Sequence, residues 1–229
     1  MPLLEVIALT APDARAAEEG GADRLEVVAD MAADGLTPDP VVVAEMRQVT
    51  SLPLRIMLRA NTGFRTSGAE LDRLRRAAES LAAAGADGFV LGFLDSEGQI
   101  DVGATTKLVA VIAPLPWTFH RAIDHAADQE AAWRIVRDLP GLDAVLTAGA
   151  PAGVDAGVGA LVRRAAESTG PAGLVMAGGG LRRKHVAPLA AAGVSSFHVG
   201  GAVRPDRSWE RPVSAGLVRE WRALIAAAG

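Results

Sequence analysis

His120 opens a segment with four ionisable side chains in six residues, His120-Arg121-Ala122-Ile123-Asp124-His125. An imidazole in such company can act as a general acid or base, and Asp124 can orient it or cap the following helix. His125 reads equally well as a solvated loop residue. Glu26 offers a second base. Glu26, His120 and His198 together make a His/His/carboxylate set with the ligand types of a metal site. Arg24 and Arg59 can clamp an anion, and Thr147 adds a hydroxyl. Two glycine-rich segments, Gly178-Gly179-Gly180 and Gly200-Gly201, can present backbone N–H groups to the same anion, or can simply permit tight turns.

Missing residue types exclude other chemistry. The 229 residues include no cysteine and no tyrosine. Thiolate nucleophiles, thiolate metal sites, disulfides and a tyrosine acid are therefore excluded. Only Lys107 and Lys184 are available for a Schiff base, and neither falls on an expected strand. Half of the residues are hydrophobic and the net charge is −4, which suits a folded core and not a disordered chain. An isoelectric point near 5.6 gives no reason to expect nucleic acid. No apolar run approaches the ~18 residues of a membrane span. The opening Met1-Pro2-Leu3-Leu4-Glu5 lacks the basic and apolar regions of a signal peptide, so a cytoplasmic location is expected.

The elements that must carry these residues repeat. Short apolar runs occur at Leu3–Leu9, Arg24–Val28, Leu54–Leu58, Phe89–Phe93, Trp117–His120, Ala144–Thr147, Leu174–Met176 and Ser196–Val199. Each precedes a helical pattern, near Asp13–Glu19, Pro40–Val49, Ala69–Ala84, Ala104–Ala113, Gln129–Leu139, Asp155–Ser168, Arg182–Ala192 and Val213–Ala227. Even-numbered runs follow a helix-closing glycine (Gly21, Gly85, Gly141, Gly193), and odd-numbered runs follow a proline (Pro2, Pro53, Pro116, Pro171). Strand–helix alternation to the end of the chain predicts an α/β protein, a single compact (β/α)8 TIM-type barrel over residues 1–229. An open doubly wound sheet is the competing arrangement.

In a barrel, side chains alternate between the axis and the helix layer, and ligands bind at the C-terminal strand ends. The polar residues of each strand then point inward. The axis is expected to carry Glu5, Arg24, Glu26, Arg55, Arg59, His120, Thr147 and His198. Internal ion pairs among the deeper Glu5, Arg24 and Arg55 are one explanation of so much charge, and a ligand site at Arg59 and His120 is the other. The glycine-rich segments follow strands seven and eight, where many barrels bind phosphate.

These residues also carry a family resemblance. Leu4-Glu5-Val6, Gly21-Ala22-Asp23-Arg24-Leu25-Glu26, Gly35-Leu36-Thr37-Pro38 and Met57-Leu58-Arg59 resemble the CutC family of copper homeostasis proteins. So do Thr118-Phe119-His120-Arg121-Ala122-Ile123-Asp124, Val145-Leu146-Thr147-Ala148-Gly149, Met176-Ala177-Gly178-Gly179-Gly180 and Phe197-His198-Val199-Gly200. The resemblance implies a TIM-type barrel, cytoplasmic and oligomeric as a homodimer, with a role in copper homeostasis and copper as a possible bound ion. Three departures stand out. Ile7 lies near a place where members often carry cysteine, Asp34 replaces a glycine before Gly35, and Arg59-Ala60-Asn61 replaces Arg-Pro-Arg. The alternative to copper handling is an enzyme acting on a small anionic or phosphorylated metabolite. There His120 would be the acid/base, Glu26 a second base and Arg59 the anion clamp. A barrel serving only as an interaction scaffold is the third reading.

Overall fold

The computed structural model describes residues 1–167 and 173–229. Pro171 and the Ser168 end of the sixth expected helix lie outside the described residues. Among the described residues, eight strands alternate with eight α-helices: β1 Leu3–Ala8, α1 Ala11–Glu19, β2 Arg24–Val27, α2 Pro40–Arg47, β3 Leu54–Met57, α3 Gly68–Ala83, β4 Gly88–Leu91 and α4 Val102–Ile112. The second half runs β5 Trp117–Phe119, α5 Gln129–Val136, β6 Leu142–Thr147, α6 Val154–Glu167, β7 Val175–Ala177, α7 Arg183–Ala191, β8 Ser196–Val199 and α8 Ala215–Ala228. All strand pairs are parallel, and β1 pairs with both β2 and β8, so the sheet closes and the open-sheet alternative is set aside. Among the described residues, no helix is long and apolar enough to cross a membrane.

Local chemistry explains the boundaries. Thr10, Asp39, Ser67, Asp101, Asp128 and Ser214 accept backbone N–H bonds at helix N-termini. Each satisfies a donor that the first turn leaves unpaired. Ser67 and Glu70 do so reciprocally. After α3, Gly85 takes φ +111°, a left-handed conformation that reverses the chain into β4.

Side-chain alternation then builds two layers. Leu4, Val6, Leu25, Val27, Ile56, Phe89, Trp117, Phe119 and Phe197 point outward and are buried under the helices. Ile7, Val28, Met57 and Val90 meet on the axis. Strand β6 departs from expectation. Its pairing with β5 shifts by one residue between Trp117 and Thr118, so Asp143 is an extra residue in the strand. Ala144 and Leu146 then pack inward with Met176, and Thr147, of opposite parity, faces the helix layer. Thr147 is therefore not an axial residue.

The helix layer is tightly seated at this strand. A Cβ on Gly157 of α6 would lie 2.0 Å from the Ala148 carbonyl oxygen. Gly157→Ala is expected to destabilise the fold by about 1–3 kcal/mol despite alanine's better helix propensity. The urea midpoint measures this, and an unchanged midpoint would show α6 free to move off the strand.

Candidate functional site

The closed register brings three charged residues into line. Glu5 on β1 lies beside Arg24 on β2 and beside His198 on β8. Glu5 is wholly buried and accepts from Arg24 Nε at 2.6 Å, and its other oxygen lies 2.8 Å from His198 Nδ1. Deeper in the barrel, Arg55 pairs with Asp143, whose carboxylate also lies 3.9 Å from Arg24 Nη1. Arg24 Nη2 is 3.8 Å from Met176 Sδ. Arg24 is thus engaged in an internal ion-pair network and does not line the cavity above, contrary to its expected place in an anion site.

That network sets the protonation of the layer above it. Burial works against the Glu5 carboxylate, but Arg24 and His198 outweigh it and hold the pKa at about 2. Burial also works against the His198 cation, but Glu26 and Glu5 outweigh it and raise its pKa. Glu26 is different. Burial, reinforced by the nearby Glu5 charge, pushes it up to about 7 against the pull of His198 and Arg24. Its Oε2 lies 3.7 Å from His198 Nε2, while its buried Oε1 has no hydrogen-bond partner among the described residues.

Glu26 and His198 form the floor of a cavity of about 350 Å³ at the C-terminal strand ends. His120, Arg59, Phe64 and Trp209 contribute to its walls. His120 Nδ1 accepts the Ala122 N–H at 3.2 Å, so the neutral ring carries its proton on Nε2. Burial, aided by Arg59, lowers the His120 pKa to about 3 and keeps the ring neutral. Among the described residues, its buried Nε2 has no hydrogen-bond partner. His120 is therefore arranged as an N–H donor, whereas Glu26 is poised to take up or release a proton near neutrality.

The metal-type set is also rearranged. Donor atoms of Glu5, Glu26 and His198 lie within 4.8 Å of one another, and His120 is not among them. The reason is topological. Strands β8, β1 and β2 are neighbours, whereas β5 lies across the barrel.

Other expected site residues divide between wall and framework. Arg59 lines the cavity, but its guanidinium is occupied by backbone carbonyls. It donates to Asp34 O at 2.8 Å, to Ala33 O, Gly35 O and Gly63 O at 3.3 Å each, and to Thr62 O. It also lies 5.1 Å from the Phe64 ring centroid. Asp124 is outside the cavity. It accepts from Thr147 Oγ1 at 2.5 Å, Ala148 N at 2.9 Å, Gly149 N at 3.2 Å and Arg121 Nε at 2.9 Å. Asp124 and Thr147 thus fasten the segments after β5 and β6. Gly178 packs beneath the wall, where a Cβ would come within 2.9 Å of His198 and 2.5 Å of Leu146. Gly179, Gly180, Gly200 and Gly201 do line the cavity.

Trp209 and Arg207 also line it and are not signalled by any strand pattern. Their segment is held by a buried pair: Arg204 donates to Asp13 Oδ2 at 2.7 Å and to Arg211 O at 2.6 Å. Asp13 also accepts from Val213 N at 2.8 Å. The Trp209 ring lies 5.0 Å from the Arg204 guanidinium.

Closed strand order, alternating helices and a cavity at the C-terminal strand ends define a (β/α)8 barrel with a carboxylate–imidazole–carboxylate array on its axis. The CutC family profile matches residues 3–203. A CutC protein of Xanthomonas campestris is 38% identical over 202 residues, covering 85% of this chain and 81% of its own. The human copper homeostasis protein cutC homolog is 34% identical over 198 residues, covering 86% of this chain and 72% of its own. The CutC crystal structure from Streptococcus agalactiae has a TM-score of 0.76 at 23% identity, covering 87% of this chain and 98% of that one. The chain belongs to the CutC family.

Proposed function

We propose that the barrel is an acid–base enzyme for a small anionic molecule carrying a carbonyl group, bound at the C-terminal mouth. The carrying observation is Glu26, a buried carboxyl in the lining of the cavity, with one oxygen unpartnered among the described residues and a pKa near 7. Deprotonated Glu26 takes a proton from carbon next to the carbonyl. The electrons pass to the carbonyl oxygen, where the His120 Nε2–H stabilises the developing charge. Protonated Glu26 then returns the proton to carbon. His198, anchored by Glu5, positions Glu26 and balances its charge. Gly179, Gly180, Gly200 and Gly201 line the cavity, and their backbone would receive the anionic end of the molecule.

The test incubates the purified protein in D2O with carboxylated and phosphorylated carbonyl metabolites and follows C–H to C–D exchange by NMR. Exchange is expected, and Glu26→Gln is expected to slow it by about 10²-fold or more. Absence of exchange across the panel, or exchange that survives Glu26→Gln, would overturn the reading.

Copper as a bound ion is the second reading, and the Glu5, Glu26 and His198 cluster is what favours it. The donor set fits Cu(I) poorly. Cu(I) prefers sulfur, and the chain has no cysteine. Both Glu5 oxygens are already engaged by Arg24 and His198, which leaves Glu26 and His198 Nε2 as available donors of the cluster. In a Cu(I) titration against a competing chelator, wild type is expected to bind no more tightly than His198→Ala. Tight stoichiometric binding lost in that variant would instead establish copper as the cargo.

A further inference from the structure

Four arginines line the cavity: Arg59, Arg121, Arg182 and Arg207. Three are engaged. Arg59 holds backbone carbonyls, Arg121 holds Asp124 and the Pro151 carbonyl, and Arg182 pairs with Asp155 at 3.0 Å. Among the described residues, the Arg207 side chain has no hydrogen-bond or ion-pair partner.

The backbone under Arg207 is unusual. Asp206 has φ 53° and Arg207 has φ 57°, two consecutive non-glycine residues in the left-handed region. Such a conformation is costly for L-residues and persists only where the surroundings enforce it. Here the enforcement is visible. Arg207 N donates to Arg204 O at 3.1 Å and Ser208 N to Pro205 O at 3.1 Å. Arg204 is itself buried on Asp13. Gly201 allows the close approach, since a Cβ there would lie 3.2 Å from Arg207 O. A turn held by backbone hydrogen bonds thus places Arg207, an exposed residue whose side chain has no partner among the described residues, in the lining of a cavity whose other arginines are already engaged.

We propose that Arg207 is the anion-recognition residue of this cavity, and that its ligand is a small organic molecule bearing one phosphate or carboxylate group. Both groups match the planar fork of a guanidinium. The remaining wall fits such a molecule. Val28, Met57, Leu146 and Trp209 offer apolar surface, with Glu26 at the floor. This inference rests on the proposed reading of the cavity as a site for a small anion, and it moves the clamp from Arg59 to Arg207.

The test measures binding without turnover. The full chain is titrated calorimetrically with inorganic phosphate and, separately, with butyrate, both into the millimolar range. Wild type is expected to bind at least one of the two, and the one preferred identifies the anionic group. Arg207→Gly is expected to weaken that binding by about ten- to hundredfold. Arg207→Lys is expected to fall between them, because an ammonium keeps the charge and loses the fork. Without anion, the thermal midpoint of Arg207→Gly should equal or exceed that of wild type, because glycine adopts the left-handed conformation freely. Glu26→Gln should still bind the probe, so failure of the proton-transfer chemistry would leave this inference standing. Three results would overturn it: neither probe binds wild type, Arg207→Gly binds as wild type does, or Arg207→Gly melts several degrees lower without anion, marking Arg207 as a structural anchor.

Discussion

Arg24→Ala is expected to destabilise the barrel by about 3–5 kcal/mol, the usual consequence of removing one partner from a buried ion pair. Glu5 has no exposure and accepts from Arg24 at 2.6 Å. Removing the guanidinium leaves a buried carboxylate with His198 as its remaining charged hydrogen-bond partner. The same change weakens the hold on Asp143 and opens space beside Met176. Glu5→Gln/Arg24→Met should recover much of the loss, because it removes both charges and keeps volume on the axis. Urea unfolding of the three proteins decides the matter. A single-variant loss below about 1 kcal/mol would mean that Glu5 is hydrated in the folded chain.

The second large effect concerns Glu26 and runs with pH. Its folded pKa is about 7 against an ordinary value of 4.5. Between those values the folded chain holds a proton that the unfolded chain has released. The stability linked to Glu26 is therefore complete below pH 4.5 and is lost as pH rises through about 7. Glu26→Gln cannot titrate. Relative to wild type, its stability should rise across that window by about 3 kcal/mol. His120 runs the other way. Its folded pKa of about 3 lies below the ordinary 6.5, so its contribution is present above pH 6.5 and lost as pH falls toward 3. The two opposing trends partly cancel in wild type, so the readout is the difference between wild type and Glu26→Gln at each pH. A difference that is flat from pH 4.5 to 8 would show that Glu26 titrates as an exposed carboxyl does.

The strands with alternating charge were legible before any coordinates. Arg24-Leu25-Glu26-Val27 and Arg55-Ile56-Met57-Leu58 declare which face meets the helices, because Leu25, Val27, Ile56 and Leu58 are apolar while Arg24, Glu26 and Arg55 on the other face are charged. Ala144-Val145-Leu146-Thr147 carries no such contrast, since both faces are mostly apolar and Asp143 adds a bulge. For that reason the sequence does not distinguish an axial Thr147 from one that faces the helix layer. The Glu5, Arg24 and His198 line needed the closed register, because it joins the first strand to the last. The proton position on His120 depends on a backbone N–H two residues away, a matter of local turn geometry. Arg59 illustrates a different limit. Its type and place at a strand end suit an anion, but the segments around Asp34 and Thr62 fold back to supply carbonyls. Trp209 and Arg207 lie beyond the last strand on a segment with no periodic pattern, placed by the Arg204–Asp13 pair.

Glu26 and Arg207 line the same cavity, so an anion held by Arg207 as proposed would share it with Glu26. A negative ligand settling above a carboxyl that is half-protonated near neutrality raises the electrostatic penalty for keeping that carboxyl charged. Occupancy and protonation are then thermodynamically linked: the ligand draws a proton from solvent onto Glu26, and acidification strengthens the ligand's hold. Under that proposal, the quantity the floor of the barrel would discriminate is the summed charge of guest and carboxyl together. A dianion accompanied by a proton and a monoanion without one present it with the same total.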